Sequence, residues 1–566
     1  MKLLITKEKS KILLISFILF LFVALPNILY CFYLPEVAEK GIFNIFLFLA
    51  LFLSVYLLPF SFLSFRLSFL LFYPLLLLSF VEFYHISIFD TPLNISSLTT
   101  ILATNKNEAI ELLSSLSVWF IVILLFSVFY FFLSFNKSLN YKFNTKTRKI
   151  ILFFSLTITF LNFSYNFFYH LGKGYFFKSD VENTLYTFSM KYKKIYPFRI
   201  IEMYHHIKDV KKYEEMTVDY QFRVTSDEED SPIYILVIGE SSRYENWQIN
   251  GYERETSPYL MSLNNLHTFS DCYSSSNTTV MSVPFIYIRG NPSNQERIYQ
   301  EKSFVSFYKE LNYKTFLINN QILYNEGVLL RIKNEFDEYY DIFDSKKDNN
   351  VYDSNVFPTL DSIVKNDIDK KLIIIHLMGS HFKYNARYPI EFEKYTPCKT
   401  NKSDIQKKRQ IFSRASSLHK KYRQLYLNEY DNSILYNDYI LGSIISKADS
   451  LNKKAVVMFV SDHGQNLFDA SDNMLHGSPL PYKSEFHVPF FMWFSDEYIT
   501  DNRDKVENAI KNKDKRLTSE NIFYTLINLS DVNFESNDLS KSIISDDFQQ
   551  DSVRKVLCPS GIYDFN

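Results

Sequence analysis

The run Ala455-Val-Val-Met-Phe-Val460-Ser-Asp462-His463-Gly464 is apolar for six residues and then turns abruptly into an acid, an imidazole and a glycine. A short, continuous apolar run rich in β-branched residues reads as a strand buried on both faces. Ile233–Ile238, Thr315–Ile318 and Leu372–Leu377 have the same form. Helical patterns separate them, notably Tyr430–Ala448 and Asn521–Leu529. Strands alternating with helices predict an α/β domain with a mostly parallel sheet covered on both faces. Ligands of such sheets bind beyond the carboxyl ends of the strands, so the polar residues at those ends carry the chemistry.

The first strand ends Ile238-Gly-Glu240-Ser-Ser, the third runs through His376 to His381, and the last ends in Asp462-His463. His476 follows His463 by 13 residues in a Gly- and Asn-bearing stretch. Carboxylates with an imidazole suit zinc or manganese, and catalytic zinc keeps a position for a reacting oxygen. A single strand-end Asp or His is more often a cap or hydrogen-bond partner; delivery from three strand ends predicts a metal centre. Ser274-Ser-Ser-Asn-Thr278-Thr279-Val-Met-Ser-Val-Pro284 is a hydroxyl-rich turn leading toward a helix. Helix N-termini stabilise anions, and a metal-bound hydroxyl ionises more easily than a free one. The same turn also reads as a plain Ser/Thr cap.

Outward from this domain the composition changes. Residues 1–170 carry 12 Lys and Arg against 7 Asp and Glu, and the remaining 396 residues carry 49 against 55. The near-neutral total of 61 against 62 is an average over two unlike parts. It excludes one soluble domain and a nucleic-acid binder driven by bulk positive charge. Four cysteines without a CxxC pair exclude a disulfide scaffold and a zinc finger. No P-loop or GxGxxG is present.

A helical span needs roughly 20 apolar residues. Segments 12–33, 42–63, 67–85, 112–134 and 150–168 predict a five-helix transmembrane domain over 1–168. The lysines before the first span and after the fourth belong on the cytoplasmic side, which puts residues beyond about 170 outside the cytoplasm. A connector at the membrane surface, 169–230, leads into a catalytic domain at 231–566. Its segment Lys191–Arg199 interleaves bases and aromatics, as suits either anionic headgroups or a solvated helix face. In the 85–111 loop, Thr104 and Glu108 stand at i and i+4 of a short amphipathic helix. They read as a solubilising face or as a polar ledge for a headgroup amine.

Taken together, Val237-Ile-Gly-Glu240-Ser, Asn250–Pro258, His376-Leu-Met-Gly-Ser-His381, Tyr430-Asp-Asn432, Ser461-Asp-His-Gly464 and His476-Gly resemble the cell-envelope phosphoethanolamine transferases. These act on lipid A or the lipopolysaccharide core and belong to the alkaline phosphatase/sulfatase superfamily. The resemblance implies that Glu240, Asp462 and His463 bind Zn2+, with Mn2+ less favoured, and that Thr279 is both a metal ligand and the catalytic nucleophile. Thr279 stands five residues before Pro284, as the family pattern requires, with Thr278 the fallback. His381 and His476 match positions that hold the phosphoethanolamine group or a second zinc, and Thr104 and Glu108 match the headgroup ledge. The reaction implied takes phosphoethanolamine from phosphatidylethanolamine, through a covalent threonine intermediate, to lipid A or a core sugar. It implies a monomeric, multi-pass enzyme of the bacterial inner membrane with a periplasmic catalytic domain, working in the lipid bilayer without nucleic acid. A glycerolphosphate polymerase and a membrane-anchored phosphatase or sulfatase are the alternatives. Two departures stand out: few cysteines, and no recognisable Ser/Lys pair after Asn319-Asn320.

Overall fold

The fold comes from a computed structural model. It describes residues 42–89, 140–171, 232–321, 327–342, 352–398, 418–468, 474–478, 480–559 and 561–565, with the shorter pieces 14, 16–18, 20–28, 93, 128, 196, 218–225 and 324. The described residues form two compact units, one up to residue 196 and one from residue 218 on.

In the second unit, seven strands form one sheet: β1 Ile233–Gly239, β2 Leu266–Phe269, β3 Lys314–Asn319, β4 Glu338–Asp341, β5 Lys371–His376, β6 Ala455–Ser461 and β7 Phe490–Phe494, in the order β2-β7-β6-β1-β5-β3-β4. The five strands β6, β1, β5, β3 and β4 pair in parallel, and β7 runs antiparallel to both β6 and β2. The mostly parallel sheet is as expected from the apolar runs. Alternate side chains of each central strand enter opposite cores, which is why those runs show no polar face. Tyr234, Leu236, Ile374 and Met458 join one core, whereas Ile235, Val237, Ile373 and Val457 join the other. Helix α4 (Thr279–Tyr287) contributes to the first core and α5 (Leu418–Asp449) to the second. Each fully buried Ile or Phe contributes about 1.5–3 kcal/mol.

Register brings the chemistry-bearing ends together. Ile238 stands beside His376 on one side and Val460 on the other. The chain therefore leaves β1 as Glu240 and β6 as Asp462 at neighbouring positions, and Asp462 N donates to Gly239 O at 3.0 Å. The loop after β5 folds down on Glu240: Ser380 N donates to Glu240 O at 2.9 Å. Gly379 makes that approach possible, with φ +53° and room for no Cβ, which would lie 2.8 Å from both Glu240 N and Glu240 O. Buried Asp353 holds the loop from the other side, accepting from Met378 N at 2.8 Å and Gly379 N at 2.9 Å.

In the first unit the helices α1 (Ile42–Leu57), α2 (Phe65–Phe89) and α3 (Thr145–Leu171) coincide with the second, third and fifth expected spans, and residues 16–18 and 20–28 of the first are helical. Among the described residues one helix, Phe65–Phe83, is long and apolar enough to cross a membrane. The fourth expected span lies outside the described residues apart from Val128. In the connector, Tyr196 is fully buried, and the Asn27 amide brackets its backbone at 3.1 and 2.9 Å. That residue is therefore not on a solvated face.

Replacing Gly379 with Ala is expected to lower the thermal midpoint of the purified full chain by the equivalent of about 1–3 kcal/mol. An unchanged midpoint would show that the loop does not need its close approach to Glu240.

Candidate functional site

Glu240, Asp462 and His463 are fully buried, and one ligand atom from each lies within 4.8 Å of the others. His463 Nε2 is 3.5 Å from Glu240 Oε1 and 3.4 Å from Asp462 Oδ2. The other ring nitrogen, Nδ1, faces Gly464 O at 2.7 Å, so Nδ1–H donates there and the Nε2 lone pair faces the carboxylates. Asp462 Oδ1 accepts from Ser241 N and His463 N at 3.0 and 2.7 Å, while Oδ2 is buried without a hydrogen-bond donor. An orphaned carboxylate oxygen, a second carboxylate and a neutral imidazole nitrogen fit a divalent cation by both donor type and spacing. Ser241 adopts φ +55° directly after Glu240 and donates its hydroxyl back to Glu240 Oε1 at 2.7 Å.

Thr279 is the first residue of α4, and its half-buried hydroxyl closes the cluster. Thr279 Oγ1 donates to Glu240 Oε2 at 3.2 Å and lies 3.1 Å from His463 Nε2. Thr278 is instead the N-cap, with extended φ −141° and ψ 138°, and its carbonyl accepts from Ser282 N at 2.9 Å. The two threonines of the turn thus separate by position in the helix start.

His476 is brought in by its ring, whose centroid lies 4.0 Å from that of His463. Its Nδ1 faces Gln465 Oε1 at 2.9 Å, and Gln465 Nε2 donates to Tyr384 Oη at 2.7 Å. His476 Nδ1–H therefore donates, leaving the Nε2 lone pair free. Burial holds His381 down to about 3, helped by the Arg387 and His463 charges, and holds His476 well below its ordinary value. Both are neutral imidazoles at neutral pH. His376 does not reach the cluster: it ends β5, fully buried, with Nδ1 3.0 Å from the Tyr324 hydroxyl. The rim expected from three strand ends is thus supplied by β1 and β6, with the β5 loop as a brace. Thr104 and Glu108 lie outside the described residues.

Sequence reasoning missed Gln321, whose Nε2 donates to Glu240 Oε2 at 3.4 Å and to Leu377 O at 2.9 Å. It occupies the segment where a Ser/Lys pair was sought, and its neighbourhood to Glu240 depends on β3 lying beside β5. It also missed Gln465, although its place directly after Asp462-His463-Gly464 was a usable signal.

Burial pushes Glu240 up to about 8, reinforced by the Asp462 charge, and burial likewise pushes Asp462 up to about 7. Two carboxyls so close in a dry site resist ionising together. A cation at this position offsets both effects.

The profile of the family described as Sulfatase matches residues 232–532. The Kdo(2)-lipid A phosphoethanolamine 7''-transferase of Escherichia coli K12 is 30% identical over 288 residues, covering 48% of this chain and 46% of that protein. The chain spans about half the length of the curated relatives it matches. The solved structure of the integral membrane protein lipooligosaccharide phosphoethanolamine transferase A from Neisseria meningitidis aligns over 94% of this chain and 97% of that one, with TM-score 0.69 and 19% identity. The zinc complex of the periplasmic domain of Escherichia coli EptC aligns over 60% of this chain and 93% of that one, with TM-score 0.52 and 24% identity. At these identities the two structures show a shared fold.

The raised carboxyls fix a pH dependence. Stability held by the protonated pair is fully present below the ordinary values of 4.5 and 3.8, and without metal it is lost as pH rises toward about 8 for Glu240 and 7 for Asp462. Zinc must displace those protons, so it should raise the melting midpoint more at about pH 8 than at about pH 5. Equal zinc shifts at both pH values would contradict this, as would an undiminished shift in Glu240→Gln.

Proposed function

The chain belongs to the sulfatase family, and from that footing we propose that it transfers phosphoethanolamine from phosphatidylethanolamine to a lipopolysaccharide acceptor, lipid A or a core sugar. The observation that carries the reading is the Thr279 hydroxyl at a helix start, 3.2 Å from Glu240 and 3.1 Å from His463. A hydroxyl so placed is a nucleophile in waiting rather than a cap. The names of the relatives support phosphoethanolamine as the group and a lipid A-type acceptor.

Glu240, Asp462 and His463, with Thr279 Oγ1, would hold one zinc ion; the zinc bound to the related EptC domain supports that choice. When bound, the ion supplies positive charge that favours the threonine alkoxide and offsets the buried carboxylates. Thr279 Oγ1 then attacks phosphorus, the bond to the diacylglycerol oxygen breaks, and that oxygen leaves with a proton. In the second half an acceptor oxygen attacks the same phosphorus and Thr279 departs. Covalent catalysis divides one difficult displacement into two, and lets two bulky lipids use the site in turn. The N–H groups of the first turn of α4 favour the phosphoryl oxygens. His381 and His476, neutral by burial, serve as hydrogen-bonding groups for the phosphoryl or the incoming oxygen. Thr104 and Glu108 form the headgroup ledge. The N-terminal unit, with five spans, anchors the monomer in the inner membrane with the catalytic domain on the periplasmic side.

Mass spectrometry of lipid A and core oligosaccharide from cells with and without the protein tests this reading. Expression should add phosphoethanolamine to one of the two, and Thr279→Ala should reduce the addition at least about 10³-fold. Thr278→Ala should retain modification. Modification that survives Thr279→Ala would overturn the assignment.

A further inference from the structure

Three segments of the site rest on one residue outside it. Glu485 lies in the short helix Lys483–Phe486 and is fully buried. Its Oε2 accepts from Asn277 Nδ2 at 2.7 Å and from Ser478 N at 3.0 Å, and its Oε1 accepts from the Ser478 hydroxyl. Asn277, also fully buried, donates in addition to Ser478 O at 3.0 Å. Asn277 stands two residues before Thr279, and Ser478 two residues after His476. The backbone of the same short helix holds the third segment. Gly464 N donates to Glu485 O at 2.8 Å and Gln465 N to Ser484 O at 2.7 Å. A Cβ on Gly464 would lie 2.2 Å from Ser484 O, so only glycine allows this contact directly after His463.

We propose that Glu485 is a positioning residue for the reacting hydroxyl: its buried carboxylate ties the Thr279 turn to the His476 turn and so fixes Thr279 against Glu240 and His463. This rests on the reading of Thr279 as the nucleophile. The hydrogen bonds made by the Glu485 carboxylate run to Asn277 and Ser478, so it acts through those two turns. A carboxylate this deep is costly unless fully bonded, and three donors converge on its two oxygens. Burial pushes it up to about 7, and the Asn277 and Ser478 hydrogen bonds work the other way. A glutamine side chain can make the same contacts. Its amide oxygen would take the Asn277 and Ser478 N–H groups, and its amide nitrogen would donate to the Ser478 hydroxyl once that hydroxyl turns. Alanine can make none of them.

The test uses the full chain in detergent with two substrates. One is phosphatidylethanolamine with a lipopolysaccharide acceptor. The other is bis(p-nitrophenyl) phosphate, a diester that needs the nucleophile but no lipid headgroup. Glu485→Ala is expected to lower kcat about 10- to 100-fold on both, with KM changed less than about threefold. Glu485→Gln should restore kcat to within about threefold of the parent. Asn277→Ala should match Glu485→Ala, and the double variant should be no worse than either, because the two act as one device. Crystal structures of the variants give a readout independent of turnover. Thr279 Oγ1 should leave Glu240 and His463 in Glu485→Ala and stay with them in Glu485→Gln. Full kcat in Glu485→Ala, a loss confined to KM, failure of Glu485→Gln to rescue, or an unmoved Thr279 in Glu485→Ala would each overturn the proposal. A parent enzyme active on the diester but not on phosphatidylethanolamine would refute the headgroup reading and leave the Glu485 comparison intact.

Discussion

Two carboxyls and an imidazole are buried together, and among the described residues no lysine or arginine pairs with Glu240 or Asp462. Burial drives both acids toward the neutral form and His463 toward the neutral ring. The surrounding architecture keeps this unfavourable arrangement in place. Parallel register sets β1 and β6 side by side, Gly379 lets the next loop sit on the Glu240 backbone, and Ser241 accepts a left-handed conformation. Such strain persists only where the neighbouring structure over-determines it. A cation bound there would offset the charge of the two carboxylates, and in the proposed reaction Thr279, close to both Glu240 and His463, would be the further donor at hand.

The parts of this fold that were legible in the sequence are those where one local signal decides the outcome. The apolar runs of β1, β3, β5 and β6 have no polar face because both faces are covered, and their expected bounds differ from the observed ones by one residue at most at either end. The strands β2, β4 and β7 were not foreseen. Leu266-His-Thr-Phe269 and Glu338-Tyr-Tyr-Asp341 are polar edge strands, and Phe490-Phe-Met-Trp-Phe494 is short, aromatic and antiparallel to its neighbours. Glu240, Asp462 and His463 were legible because strand ends concentrate ligands. Gln321 and Glu485 were not, since each reaches the site through tertiary contacts across tens or hundreds of residues. His376 shows the converse error. Its strand-end position looked like a ligand's, yet its side chain is committed to Tyr324.

Charge composition also changes meaning once the two units are separated. The charge-poor first 170 residues supply helices whose cores are aromatic and aliphatic, with Phe52, Phe69 and Leu76 fully enclosed. The acidic excess of the rest includes Glu240 and Asp462, the carboxylates of the candidate metal site. In the proposed reaction, anchoring by the N-terminal unit would have a direct physical use: donor and acceptor lipids would share one surface, and diffusion would be confined to it.

The most direct test of the account is to find where the transferred group rests between its two carriers. The purified chain would be incubated with phosphatidylethanolamine labelled in its ethanolamine carbons, without acceptor, and digested for tandem mass spectrometry. Labelled phosphoethanolamine is expected on Thr279 and on no other residue, discharged when lipopolysaccharide is added. Label on Thr278, or turnover of the lipid with no labelled residue at any time point, would contradict it.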